Sequence, residues 1–154
     1  MITLIKDNFV SKKFCEDAIN FYKKNQNRVE KFRDVFFIQL KKEDLSINFI
    51  NEIHKTSKII NDSIIDWAQI VHWPKNSFQD LHFDMASEKT TLSSICYLNN
   101  DYEGGQTYFE DGTIFAPLTG RILFFDGKHY LHGVKKIISG NRYVLAIWYK
   151  NETK

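Results

Sequence analysis

LHFD (Leu81–Asp84), ICYLNNDYEGGQTYF (Ile95–Phe109), GRILFFDG (Gly120–Gly127), LHGV (Leu131–Val134) and GNRYVLAIWY (Gly140–Tyr149) follow one another between Leu81 and Tyr149 and decide the fold. Each piece is short and rich in β-branched or aromatic residues. Turn formers separate them: Pro74-Lys75-Asn76 upstream, then Asn99-Asn100-Asp101, Gly104-Gly105, Asp111-Gly112, Asp126-Gly127 and Ser139-Gly140-Asn141. Strands are accordingly expected over 67–73, 78–84, 89–98, 105–109, 113–116, 121–125, 130–135 and 142–150. About eight closely spaced strands with turns between them predict a sandwich or jelly roll.

Upstream the pattern is different. Residues 2–5 read as a short strand and 35–40 as another, with a polar loop from Asn25 to Arg33. Ser11 is placed to cap a helix in which Phe14, Ala18, Ile19 and Tyr22 recur at helical spacing. Glu16 and Asp17 early in it and Lys23 and Lys24 late suit the helix dipole. A second amphipathic helix is expected from about Leu45 to Ile65, carrying Phe49, Ile53, Ile60 and Ile64 near one face. The reading is one domain over 1–154: a helical part over about 1–66 and a β core over about 67–150.

A chain of 154 residues can bury a core without staples, and its two cysteines, Cys15 and Cys96, form no metal-binding cluster. A reduced, cytoplasmic setting is expected. The net charge of +2, with both signs interspersed, argues against a nucleic-acid partner. No apolar run reaches the ~20 residues of a membrane span, and Lys6 and Asp7 interrupt the only apolar stretch at the N-terminus, so neither a membrane partner nor a signal peptide is expected.

His82 and Asp84 are two apart on an expected strand and therefore share a face. Two imidazoles and one carboxylate from separate segments (His82, Asp84 and His132) form the ligand set of a non-haem Fe(II) site with open positions. The HxD alone is weak, since the chain holds five histidines and eleven aspartates. His129 is a rival for His132 but lacks a basic residue at the matching offset, and it reads as a loop residue. His54 and His72 have no carboxylate at ligand spacing. Arg142, ten residues beyond His132, has a planar fork that suits a distal carboxylate, and Tyr97 offers a phenol to the same group. Taken singly, Arg142 reads first as a surface ion-pair residue and Tyr97 as a core aromatic; jointly with the triad the functional reading wins. Alternation puts Arg142, Val144, Ala146 and Trp148 on one face of their strand.

In order, the motifs read HxD, YLN, GGxTxF, PxxGxxxxF, LHGV and RYxxxxW. They stand here as His82-Phe83-Asp84, Tyr97-Leu98-Asn99, Gly104–Phe109, Pro117–Phe125, Leu131–Val134 and Arg142–Trp148. This series resembles the Fe(II)/2-oxoglutarate-dependent dioxygenases, in their prolyl 4-hydroxylase-like branch, over about 67–150. The resemblance implies a mainly β fold with flanking helices: a double-stranded β-helix (jelly roll, cupin-like) with two N-terminal helices backing the major sheet. It implies Fe(II) on His82, Asp84 and His132, and 2-oxoglutarate held through its far carboxylate by Arg142 and Tyr97. Thr107, Ile95, Val134 and Trp148 would line the co-substrate pocket, and ascorbate would serve as reductant. Trp73 stands where related enzymes often carry a tyrosine; a core tryptophan and an aromatic near the substrate groove are the two readings of it.

The implied activity is hydroxylation of a C–H bond with release of succinate and CO2. A prolyl residue in a peptide or protein is the expected substrate, met by loops near 25–34, 74–80 and 99–104. A free amino acid or other small metabolite is the alternative within enzymes. A non-catalytic jelly-roll module with a structural metal is disfavoured, because Arg142 and Tyr97 would then have no reason to accompany the triad. Halogenation is disfavoured because Asp84 retains the carboxylate ligand. Oligomeric state is not legible in the sequence.

Overall fold

The computed structural model describes residues 2–44, 51, 52, 54–56, 58, 63–84 and 87–151. Its centre is β13 (Arg142–Asn151), flanked by β4 (Ser63–Trp73) and β6 (Thr90–Tyr97), to which it pairs antiparallel on both sides. With β1 (Ile2–Lys6), β2 (Glu30–Phe32), β3 (Val35–Gln39) and β10 (Ile122–Phe125) they form a seven-stranded sheet in the order β1-β10-β6-β13-β4-β3-β2. Strands β5 (Gln79–His82), β11 (His132–Val134), β8 (Thr107–Phe109) and β9 (Ile114–Phe115) make a four-stranded sheet. A two-stranded ribbon joins β7 (Glu103–Gly104) to β12 (Ile137–Ser139).

Alternation along β13 divides the core in two. Tyr143, Leu145, Ile147 and Tyr149 pack with Phe14, Cys15, Ala18 and Tyr22 of helix α1 (Lys12–Lys24). Val144 and Ala146, one residue out of phase, pack with Phe109 and Val134 of the smaller sheet. Strand β10 repeats the division, with Ile122 and Phe124 on the helix side and Leu123 and Phe125 between the sheets. Strands buried on both faces explain the near-continuous apolar reading of ILFF and YVLAIWY. The result is the expected jelly roll backed by a helix.

Helix α1 starts as expected: Ser11 Oγ accepts a hydrogen bond from the backbone N–H of Phe14 at 3.1 Å. Glu16 and Asp17 fall beyond the first turn, so the dipole is complemented only at the C-terminal end, by Lys23 and Lys24. Three local expectations are corrected. The polar stretch from Asn25 to Arg33 contains a short 3-10 turn and the edge strand β2, whose exposed Glu30–Phe32 pairs with β3 and carries no apolar signal of its own. The expected second helix lies mostly outside the described residues; 51, 52, 54–56 and 58 are helical, but Ile64 and Ile65 belong to β4, which begins at Ser63 rather than at 67. The boundary near 66 is therefore no structural seam, because β1, β2 and β3 sit in the same sheet as the later strands.

Candidate active site

The smaller sheet brings the two histidines together. His82 ends β5, His132 begins β11, and the two are paired across the ladder with ring centroids 4.4 Å apart. Asp84 follows β5, its N–H bonded to the carbonyl of Gly127 at 2.7 Å. Gly127 has to be glycine: a Cβ there would lie 2.1 Å from Asp84 Oδ2 and 2.6 Å from Ser93 Oγ. One ligand atom from each of His82, Asp84 and His132 lies within 4.8 Å of the others. His129, the rival, is an exposed residue paired with Asp126 at 3.1 Å, outside that group.

Hydrogen bonds assign the tautomers. Nδ1 of His82 lies 2.8 Å from the Asp80 carbonyl and Nδ1 of His132 lies 3.0 Å from the Tyr130 carbonyl. A carbonyl only accepts, so each Nδ1 carries a proton and Nε2 is the ring atom turned toward Asp84. Nε2 of His132 is then 3.0 Å from Asp84 Oδ1, and Nε2 of His82 is 4.0 Å from it. At that separation the pair is held by a cation between Nε2 and the carboxylate, either a shared proton or a metal ion. The donor set fits a divalent iron, with both Nδ1 atoms tied back as metal-binding histidines require.

The other oxygen of Asp84 is held by the protein. Ser93 Oγ donates to Oδ2 at 2.6 Å and Trp148 Nε1 at 3.1 Å. Burial pushes the Asp84 carboxyl up, but the bonds from His132, Ser93 and Trp148 outweigh it and leave Asp84 below the ordinary carboxylate range. Burial lowers His82 below the ordinary imidazole range, and the proximity of His132 adds to the effect. Trp148 is stacked on Trp67, centroids 4.9 Å apart, which fixes the indole that reaches Asp84.

Arg142 lies at the far end of the same face of β13. It is fully buried, and among the described residues no carboxylate lies within ion-pair distance of it. Its Nη2 donates to Thr107 Oγ1 at 3.2 Å, and Thr107 also shares a hydrogen bond with the Tyr97 hydroxyl. The guanidinium carbon stands 5.1 Å from the Trp73 ring centroid and 5.5 Å from that of Tyr97. A buried cation without a counter-ion is costly, so the surroundings are built for an anion supplied from outside the chain.

Register connects the two ends. Tyr97 pairs with Val144, Ile95 with Ala146, and Ser93 with Trp148, so β6 and β13 line one wall from Arg142 to Asp84. Val134, opposite in β11 and paired with Thr107, is buried against that wall. Every expected site residue is thus brought to this one space between the sheets. Trp73 proves to be a core tryptophan, 6% exposed. The sequence reading missed Ser93, although alternation from Tyr97 and Ile95 points straight to it. It also missed Tyr102, a turn residue with no periodic signal, which lies against Arg142 across Gly105. A separate groove of about 610 Å³ along α1, lined by Lys12, Lys23, Asn99 and Asn141, contains none of the residues that face the metal cluster or Arg142.

Comparison with known proteins points the same way. Residues 68–150 match the 2OG-Fe(II) oxygenase superfamily. Chicken prolyl 3-hydroxylase 1 is 30% identical over 106 residues, which make up 64% of this chain and 13% of that protein, so the chain spans only a small part of that relative's length. Viral collagen prolyl hydroxylase from Paramecium Bursaria Chlorella virus-1, solved as its 2OG complex, superposes with a TM-score of 0.79 at 20% identity, covering 97% of this chain and 96% of that one. A Trichoplax adhaerens prolyl hydroxylase, solved with a hypoxia inducible factor peptide fragment, gives a TM-score of 0.76 at 15% identity over 96% and 83% of the two chains. The likeness to the solved structures shows a shared fold, and the family match spans the β core that carries His82, Asp84, His132 and Arg142. The chain belongs to the 2OG-Fe(II) oxygenase superfamily, where prolyl hydroxylases are its neighbours.

Proposed function

We propose that this chain is an Fe(II)- and 2-oxoglutarate-dependent dioxygenase that hydroxylates a prolyl residue in a peptide or protein. The balance is one 2-oxoglutarate, one O2 and one C–H bond converted to succinate, CO2 and C–OH, one oxygen atom going to succinate and one to the substrate. The observation that carries the reading is the buried Arg142, without a carboxylate among the described residues, on the strand face whose other end holds Asp84. A dicarboxylic 2-oxo acid would use both ends at once, its far carboxylate on Arg142 and its oxo-acid end toward the residues that would hold the metal.

In this reading His82, Asp84 and His132 hold iron, and the iron supplies the oxidative chemistry. The rest falls to the chain. Arg142 takes the far carboxylate in its fork, and Tyr97 and Thr107 complete that contact from the neighbouring strands. Ile95 and Val134 keep the middle of the pocket dry, which strengthens each charged contact inside it. Ser93 and Trp148 fix the Asp84 carboxylate so that Oδ1 faces the histidines. Ascorbate would serve as the external reductant.

The peptide substrate rests on the prolyl hydroxylase relatives and on the peptide held by the Trichoplax neighbour. An extended proline-rich segment has little conformational entropy to lose, so an open groove can hold it. The test is succinate release and peptide mass with Fe(II), ascorbate and 2-oxoglutarate. A gain of one oxygen on proline supports the reading. Turnover of free amino acids with no peptide oxidised moves the protein to metabolite hydroxylation, and no succinate under any condition overturns it.

A further inference from the structure

Buried polar atoms are nearly always paired, so the exceptions carry information. Among the described residues three buried side-chain atoms have no hydrogen-bond partner: Trp73 Nε1, Tyr102 Oη and Arg142 Nε. They come from three separate segments, yet they share one neighbourhood. Trp73 is the cross-strand partner of Arg142 on β4, with the guanidinium 5.1 Å from its ring centroid. Tyr102 reaches the same place from the turn before Gly105. A Cβ at Gly105 would stand 2.8 Å from the Tyr102 ring and 3.1 Å from Arg142 Cδ, so the glycine is what lets the two side chains meet.

Their chemistry is as uniform as their location. An indole N–H and a guanidinium N–H only donate, and a phenol beside a cation turns its oxygen to the charge and its proton outward. Burial raises the Tyr102 phenol well above its ordinary range while the Arg142 charge opposes the shift, so the hydroxyl keeps its proton and remains a donor. Two unsatisfied donors beside a buried cation that carries a third of its own describe a receptor for an anion with several acceptor lone pairs. A carboxylate has about four such sites, and the Arg142 fork uses only two of them.

We propose that Tyr102 and Trp73 are further co-substrate-binding residues, donating to the distal carboxylate of the 2-oxo acid beside Arg142 and setting the preference for a dicarboxylic over a monocarboxylic 2-oxo acid. This inference rests on the reading of the site as a 2-oxoglutarate pocket. It assigns Trp73 a polar role in addition to its packing, and it brings the turn between β6 and β7 into co-substrate selection.

The experiment is calorimetric titration of 2-oxoglutarate and of 2-oxobutyrate into the Fe(II)-loaded protein without oxygen, for wild type, Tyr102→Phe and Trp73→Phe. Each variant loses one donor to a charged group and is expected to bind 2-oxoglutarate at least about ten-fold more weakly. Affinity for 2-oxobutyrate, which has no distal carboxylate, stays at the wild-type value, so the selectivity ratio falls with it. Tyr102→Phe removes one oxygen atom and keeps the ring, so it carries the test if Trp73→Phe fails to fold by circular dichroism. Wild-type protein that binds no 2-oxoglutarate overturns the function proposed above and this inference with it. Wild-type protein that binds, with both variants unchanged in affinity and selectivity, overturns this inference alone and leaves the three atoms to ordered solvent.

Discussion

Nε2 of His132 lies 3.0 Å from Oδ1 of Asp84 while Nδ1 of the same ring is tied to the Tyr130 carbonyl, so Nε2 is the ring atom left to share a proton or a metal cation with the carboxylate. His82→Ala and His132→Ala are therefore expected to abolish stoichiometric Fe(II) binding. The core does not depend on the metal, and far-UV circular dichroism should be unchanged. Metal titration of each purified variant checks this. Wild-type stoichiometry in either one would remove that histidine from the site.

Arg142→Ala should weaken 2-oxoglutarate by roughly 2–5 kcal/mol, the range for losing one partner of a desolvated charge pair, with iron affinity little changed. Arg142→Lys keeps the charge but not the fork and should lose less. Tyr97→Phe removes one hydrogen bond to a charged group and should cost about 1.5 kcal/mol. Co-substrate titrations on the iron-loaded variants decide it; equal affinity for wild type and Arg142→Ala would end the assignment.

Ser93→Ala and Trp148→Phe touch no metal, yet each frees Asp84 Oδ2 from a donor. Outer contacts of this kind are worth about 10–100-fold in metal affinity. Competition with a chelator should show a loss in that range for each, with the stacking on Trp67 largely kept by the phenyl ring. A Trp148→Phe protein that holds iron as tightly as wild type would show that Asp84 is oriented by other means.

His72 bridges Tyr22, at 3.2 Å, and Asn141, at 2.8 Å, and is stacked on Tyr143. Burial lowers it below the ordinary imidazole range, with Asn141 opposing. The sign follows: the unfolded chain takes up its proton first, at about pH 6.5, so the contribution to stability is complete above that pH and is lost as pH falls toward the folded value. Melting temperatures of metal-free protein between pH 8 and pH 5 should fall, and His72→Phe should flatten that slope. An equal slope in the variant would place the acid sensitivity elsewhere.

Chemistry proved easier to read in this chain than boundaries. His82, Asp84, His132 and Arg142 stood out because ligand type and spacing coincide with a basic residue ten positions beyond the last ligand, and the alternation Arg142-Val144-Ala146-Trp148 located the wall between them. Ile64-Ile65 fits a helix as well as a strand, and only pairing with Tyr149 and Lys150 makes it β4. Strand β2 owes its existence to β3, and Tyr102 owes its place to Gly105. Such features depend on a partner distant in sequence, which local periodicity does not report.

Since β13 carries Arg142 and Trp148 on one face six residues apart, it acts as a ruler for the pocket. A single insertion inside it would turn one end of the ruler over and aim either the guanidinium or the indole at helix α1. In the function proposed above, the strand thereby fixes the length of acid the pocket accepts, from iron to guanidinium, whichever segments meet the substrate.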